Sequence, residues 1–189
     1  MTDCRFLFQS ATKISIIIPA YNEEDRILPL LQKLATLQTP SEAIELIIVD
    51  DGSSDRTSNL CRQEIEHQFP RGKLITLEKN RGKGNALRTG VAVSSSPVVI
   101  TMDADMATDL SAIEPAIKGL QEHHIVVGSR SIKGSQTQGT TSARRFVTIG
   151  FSLFLQLLTR HKISDTQCGF KAYRSPVAKM LFSSSRLKG

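Results

Sequence analysis

A repeated hand-over from a strand-length apolar run to a helical period governs what this chain can fold into. Residues 14–18 (ISIII) are the kind of isoleucine-rich run that a parallel strand buried on both faces requires. After Pro19 the period changes, and Ile27, Leu30, Leu31, Leu34 and Leu37 recur at three and four residues, which describes one face of a helix. A second run, residues 46–49, leads into DDGSSD, where Gly and Ser break the strand and Ser54 or Asp55 can cap a helix carrying Leu60, Cys61 and Ile65. Further strands are predicted at 73–77, 98–102 and 125–127, and helices at 85–93 and 111–120, the last opened by a capping box of Ser111 and Glu114. Such βαβ alternation predicts an α/β fold, a Rossmann-like and mostly parallel sheet flanked by helices in a single domain. Ligands of such sheets bind outside the carboxyl ends of the strands.

Composition removes several function classes. Lys and Arg number 24 against 18 Asp and Glu, a net charge of +6 that suits phosphate-bearing partners. Aromatics are only 5% and none interleave with the basic stretch NRGKG, so nucleic acid is not the expected partner. Cys4, Cys61 and Cys168 show no CxxC spacing, which points away from a disulfide framework or a zinc site and toward a reducing, cytoplasmic setting. No 18 consecutive apolar residues occur, so any membrane is expected to be touched from outside. The stretch GSQTQGTT has P-loop spacing, but Thr140 stands where the lysine is required.

Four predicted strand ends each deliver a polar cluster: PAYNEE at 19–24, VDDGSSD at 49–55, NRGKGNA at 80–86 and MDADMA at 102–107. On a parallel sheet they converge on one edge. Asp50 and Asp51 can accept hydrogen bonds from a ribose or a base, and Arg81 or Lys83 can reach phosphate beside permissive glycines. Asp103 and Asp105 stand two apart, so in extended geometry their carboxylates share a side and repel unless a cation lies between them. Mg²⁺ or Mn²⁺ on a diphosphate needs only one or two protein carboxylates.

Together IIIPAYNEE, LIIVDDGSSDRT, NRGKGNALRTG, VVITMDADMAT, IVVGSR and DTQCGFKAYR resemble the inverting family-2 glycosyltransferases of GT-A fold. Within that family they look most like the polyprenyl-phosphate sugar synthases, the dolichyl-phosphate β-glucosyltransferases in particular. The resemblance implies that Pro19, Ala20, Tyr21, Glu23, Asp51, Gly52 and Lys83 form the nucleotide site of a nucleoside-diphosphate sugar, with Ala104 between the two aspartates. Asp103 would contact the nucleotide sugar and Asp105 would hold the metal. Mannosyl relatives carry a glutamine where Ala107 stands, so the motif leans toward glucose and UDP-glucose.

Arg130 and one of Arg144 or Arg145 match positions that engage a lipid phosphate in such relatives, and the forked guanidinium suits that task. Residues 130–143 read as a mobile loop, and residues 146–158 as either an amphipathic helix or a core helix. The expected acceptor is a polyprenyl (dolichyl or undecaprenyl) phosphate, met by a peripheral protein at the cytosolic face of a membrane. The alternative is a sugar hydroxyl in polysaccharide or glycolipid synthesis, which needs a carboxylate base, for which Asp165 is the candidate. The expected organisation is an extension at 1–12, a catalytic domain at 13–175 and a tail at 176–189, whose polar end reads as a shortened or single-domain form. Within the domain, 13–107 would serve the nucleotide and 108–175 the acceptor.

Overall fold

The computed structural model describes residues 12–37, 43–106, 108–128 and 168–184. Its elements in chain order are β1 (Ile14–Ala20), α1 (Glu24–Ala35), β2 (Ile44–Asp50), α2 (Thr57–Gln68), β3 (Lys73–Thr76), α3 (Lys83–Val93) and β4 (Val98–Thr101). A short 3₁₀ turn, Leu110–Ala112, then leads into α4 (Ile113–Gly119), followed by β5 (Ile125–Val127), β6 (Lys171–Arg174) and α5 (Ser175–Ser184). The strands make one mixed sheet in the order β3-β2-β1-β4-β6-β5. The first four are parallel, whereas β6 runs antiparallel to both β4 and β5.

Strand alternation divides the core in two. Ile14, Ile16 and Ile18 of β1 face the helical layer that supplies Ile27, Leu31 and Leu34 of α1, Cys61 and Ile65 of α2, and Ile113 of α4. Ile17, Ile47, Val49 and Val99 face the other layer, where α3 contributes Ala86 and Val91 and α5 contributes Ala178. With both faces covered, β2 is buried at all seven positions. That is why its sequence reads as a continuous apolar run.

Three local expectations change. Ser111 lies inside the 3₁₀ turn, and its N–H is taken by the Asp109 carboxylate at 2.8 Å, so the Ser111–Glu114 capping box does not form. Residues 171–174 form a strand that the sequence reading lacked. Residues 175–184, expected mostly as tail, form α5, which packs Ala178 into the second core while Phe182 meets Tyr173 edge-on, ring centroids 5.8 Å apart.

At the strands' amino ends one buried carboxylate gathers the sheet. Glu45 accepts from Ser15 Oγ (2.5 Å), Ser95 N (2.8 Å), Ser95 Oγ (2.9 Å) and Lys73 Nζ (2.7 Å), so β1, β2, β3 and the turn before β4 meet on it. Burial alone would raise its pKa, but the donors from Lys73, Ser15 and Ser95 outweigh burial and hold it at about 2. A depressed folded-state pKa stabilises the fold above the ordinary carboxylate range, and that stabilisation is lost as pH falls toward 2. Glu45→Ala is expected to lower unfolding free energy at pH 7 by about 2–4 kcal/mol, because it strands buried donors. In urea titrations the gap to wild type should narrow between pH 5 and pH 2.5; a constant gap would mean that the carboxylate's charge is not what holds the edge.

Candidate active site

Every parallel strand ends at the same edge, and the segments that follow them enclose a cleft of about 360 Å³. Pro19, Ala20, Tyr21 and Glu23 line it from the end of β1, Asp51 from β2, Lys83 from the start of α3, and Asp103, Ala104 and Asp105 from beyond β4. Arg26, Asn80, Gly82 and Ala86 complete the wall. Gly52 does not line it. That residue turns the chain at φ +75°, with the backbone of Lys79 and Asn80 so close that a Cβ would lie within 2.9 Å of it. Arg130, Arg144, Arg145, Asp165 and Ala107 lie outside the described residues.

Asp51, only 3% exposed, spends its carboxylate on backbone: Oδ1 accepts from Arg81 N (2.9 Å) and Oδ2 from Gly82 N (2.7 Å). The clamp sets where α3 begins and hence where Lys83 stands. Gly82 caps α3 at φ +87°, so the helix starts two residues earlier than the periodicity predicts. From that first turn Lys83 Nζ reaches Asp103 Oδ1 at 2.5 Å. β4 ends at Thr101, and Met106 adopts a left-handed φ of +54°, a strained conformation for a side chain of this kind and one that clusters at functional sites. Asp103 is half-buried and Asp105 exposed at the mouth.

Glu23 pairs with Arg26 across 2.6 Å. Burial pushes its pKa up; Arg26 opposes that, while Asp105 and Asp103 add to it. Glu23, Asp103 and Asp105, together with the backbone-bound Asp51, make four carboxylates that share the cleft with Lys83 and Arg26, an arrangement that favours a further positive charge among them. Mg²⁺ or Mn²⁺ fits this donor set. Asp103 and Asp105 offer hard oxygen ligands at one mouth, and among the described residues no cluster of three or more His, Cys, Asp or Glu side chains forms a complete cage. An ion completed by diphosphate oxygens and water needs no such cage.

One brace escaped the sequence reading. Asn22 N donates to Ser53 Oγ (2.9 Å), and Asn22 Oδ1 accepts from Ser54 N (2.9 Å), with Asn22 held at φ +53°. Glu23 N donates to Thr57 Oγ1 (2.8 Å), Glu24 N to Asp55 Oδ2 (3.2 Å), and Arg56 N to Glu24 Oε2 (3.0 Å). The polar residues of NEE and SSDRT therefore lock the loops after β1 and β2 to each other and cap α1 and α2 reciprocally. Their only signal in sequence is the density of Asn, Ser, Asp and Thr after each strand.

Comparison with known proteins agrees with this architecture. The glycosyl transferase family 2 profile matches residues 15–182. The chain belongs to that family. It is 33% identical over 187 residues to a dolichyl-phosphate beta-glucosyltransferase of Trichomonas vaginalis, covering 92% of this chain and 55% of the relative. It is 33% identical over 194 residues to the Homo sapiens dolichyl-phosphate beta-glucosyltransferase, covering 94% and 60%. The chain thus spans little more than half the length of these curated relatives. A mannosyltransferase from Pyrobaculum calidifontis, solved with GDP-Man and Mn²⁺, superposes with a TM-score of 0.66 at 19% identity, covering 92% of this chain and 47% of that one. The sheet is that of a GT-A glycosyltransferase.

Asp51→Ala is expected to cost about 2 kcal/mol in chemical denaturation, two backbone donors having lost a charged acceptor. It should also speed tryptic cleavage after Arg81. Cleavage at the wild-type rate would show that the loop is held by something else.

Proposed function

We propose that the cleft takes a nucleoside-diphosphate sugar, UDP-glucose by preference, and that the enzyme passes its hexose to a polyprenyl phosphate such as dolichyl or undecaprenyl phosphate. The observation that carries the reading is the meeting of Lys83, Asp103 and Asp105 with Tyr21 and Asp51 in one cleft of a family 2 fold. The names of the relatives, which act on dolichyl phosphate, supply the acceptor. In this reading the exposed ring of Tyr21 offers a face to the base, and Lys83 turns its ammonium to the phosphates.

A divalent ion held by Asp105, with Asp103 beside it, would draw off the charge that builds on the departing diphosphate. The acceptor phosphate is already ionised near neutral pH. Its oxygen forms the new bond to the anomeric carbon as the bond to the donor phosphate breaks, the diphosphate leaving with the electron pair. Direct displacement inverts the centre and gives a β-linked product from an α-linked donor. The chain's own work is then to orient two anions and balance their charge. Arg130 and Arg144 or Arg145 are proposed for the lipid phosphate. A lipid acceptor puts the protein at a membrane surface, reached from the cytosolic face; among the described residues no helix is long and apolar enough to cross a membrane.

Isothermal titration of UDP should show binding that Mn²⁺ strengthens at least tenfold and that Asp105→Ala returns to the metal-free level. Lys83→Met should weaken UDP by roughly tenfold while stability shifts by no more than about 1 kcal/mol, since Lys83 itself is exposed and Asp103 only half-buried. UDP binding indifferent to both changes would defeat the donor reading.

Labelled UDP-glucose offered with dolichyl phosphate or with an oligosaccharide should mark the lipid, and Asp165→Asn should leave more than about a tenth of that transfer, no general base being needed. Label in the oligosaccharide, abolished by Asp165→Asn, would replace the phosphate acceptor with a hydroxyl.

A further inference from the structure

We propose that Gly169 is a positioning residue for Asp103, keeping its carboxylate in the cleft by presenting bare backbone where any side chain would intrude. A methyl group on Gly169 would overlap the carboxyl carbon and both oxygens of Asp103, the farthest of the three at 2.6 Å, and real Cβ atoms essentially never approach so closely. Conformation is not the reason for glycine here. The positive-φ glycines among the described residues are Gly52 and Gly82, so the backbone at Gly169 is open to ordinary residues and only space forbids them.

Which side gives way is decided by what holds each. The Gly169 carbonyl accepts from Thr101 Oγ1 at 3.2 Å, and the carbonyl of Phe170 accepts from Gly128 N at 3.0 Å. Cys168 and Phe170 on either side are buried, and β6 follows directly in the sheet. Asp103, by contrast, presents the free end of a short side chain. An alanine at 169 is therefore accommodated by rotating the carboxylate, which parts it from Lys83 and turns it out of its place beside Asp105. At Gly52 the obstruction is backbone, and the same substitution would disturb the fold itself.

The proposal rests on the donor reading only where binding or turnover is measured, so the test has two arms. Crystal structures of the wild type and Gly169→Ala should show residues 168–170 in place, the Asp103 carboxylate rotated and the Lys83 contact open, with a melting midpoint within about 3 °C of wild type. A carboxylate left in position with the loop displaced, or a variant that does not fold, overturns the proposal. In the second arm, Gly169→Ala should lower kcat/KM for UDP-glucose by about 100-fold, the scale of a misplaced group, yet change it less than about twofold in an Asp103→Ala background. Additive losses would mean that Gly169 acts independently of Asp103. A wild type that neither binds nor uses UDP-glucose would end the donor reading, while the crystallographic arm would still decide the role of Gly169.

Discussion

A parallel sheet covered on both faces leaves its polar groups only two places to stand, the two ends of its strands. β1 and β2 are so thoroughly enclosed that a charge in mid-strand would have to be desolvated without compensation. The two ends are used differently. At the amino ends Glu45 is saturated by four donor groups from three other segments and serves as a fixed anchor. At the carboxyl ends Asp50 and Asp51 are buried and hold backbone, while Asp103 is half-buried and Asp105 exposed at the cleft. The Glu45 anchor and the proposed ligand cleft thereby lie a strand's length apart.

Within the cleft the order of dependence runs from backbone to charge. Asp51 fixes the loop before α3; that loop fixes the first turn of the helix; the first turn carries Lys83 to Asp103. The Asn22 brace does the same for Glu23 and Tyr21 by tying their loop to the one after β2. Pre-organised loops matter here because the proposed reaction asks the protein for placement of charges more than for proton transfer. Cys61, though buried close by, takes no part: burial, with Asp50 and Asp55 adding to it, pushes its thiol up to about 12 and leaves it inert.

How much of this was legible in the chain depends on the range over which each signal acts. The first four strands and first three helices are readable because period is local, and the convergence of PAYNEE, VDDGSSD, NRGKG and MDAD follows once those strands are parallel. β6 was missed because KAYR is four residues long with a charge at each end, and its place between β4 and β5 is set by pairing with residues some seventy positions earlier. Nothing next to Glu45 in the chain marks its role, because its four donor groups come from residues 28 to 50 positions away. Asp51 was expected to face a ligand, yet its oxygens face backbone, a distinction that side-chain type cannot carry.

The pairing of Lys83 with Asp103 also makes the cleft's ligands interdependent under the proposed function. While the pair is closed, the ammonium is satisfied and one of the two metal-side carboxylates is neutralised. A diphosphate that draws Lys83 away takes the ammonium from Asp103, and a divalent ion arriving alone must compete with that ammonium for the Asp103 oxygens. Each ligand's binding therefore removes part of the cost of the other's. By linkage the coupling is reciprocal, so an Mn²⁺-induced gain in UDP affinity must equal the UDP-induced gain in Mn²⁺ affinity.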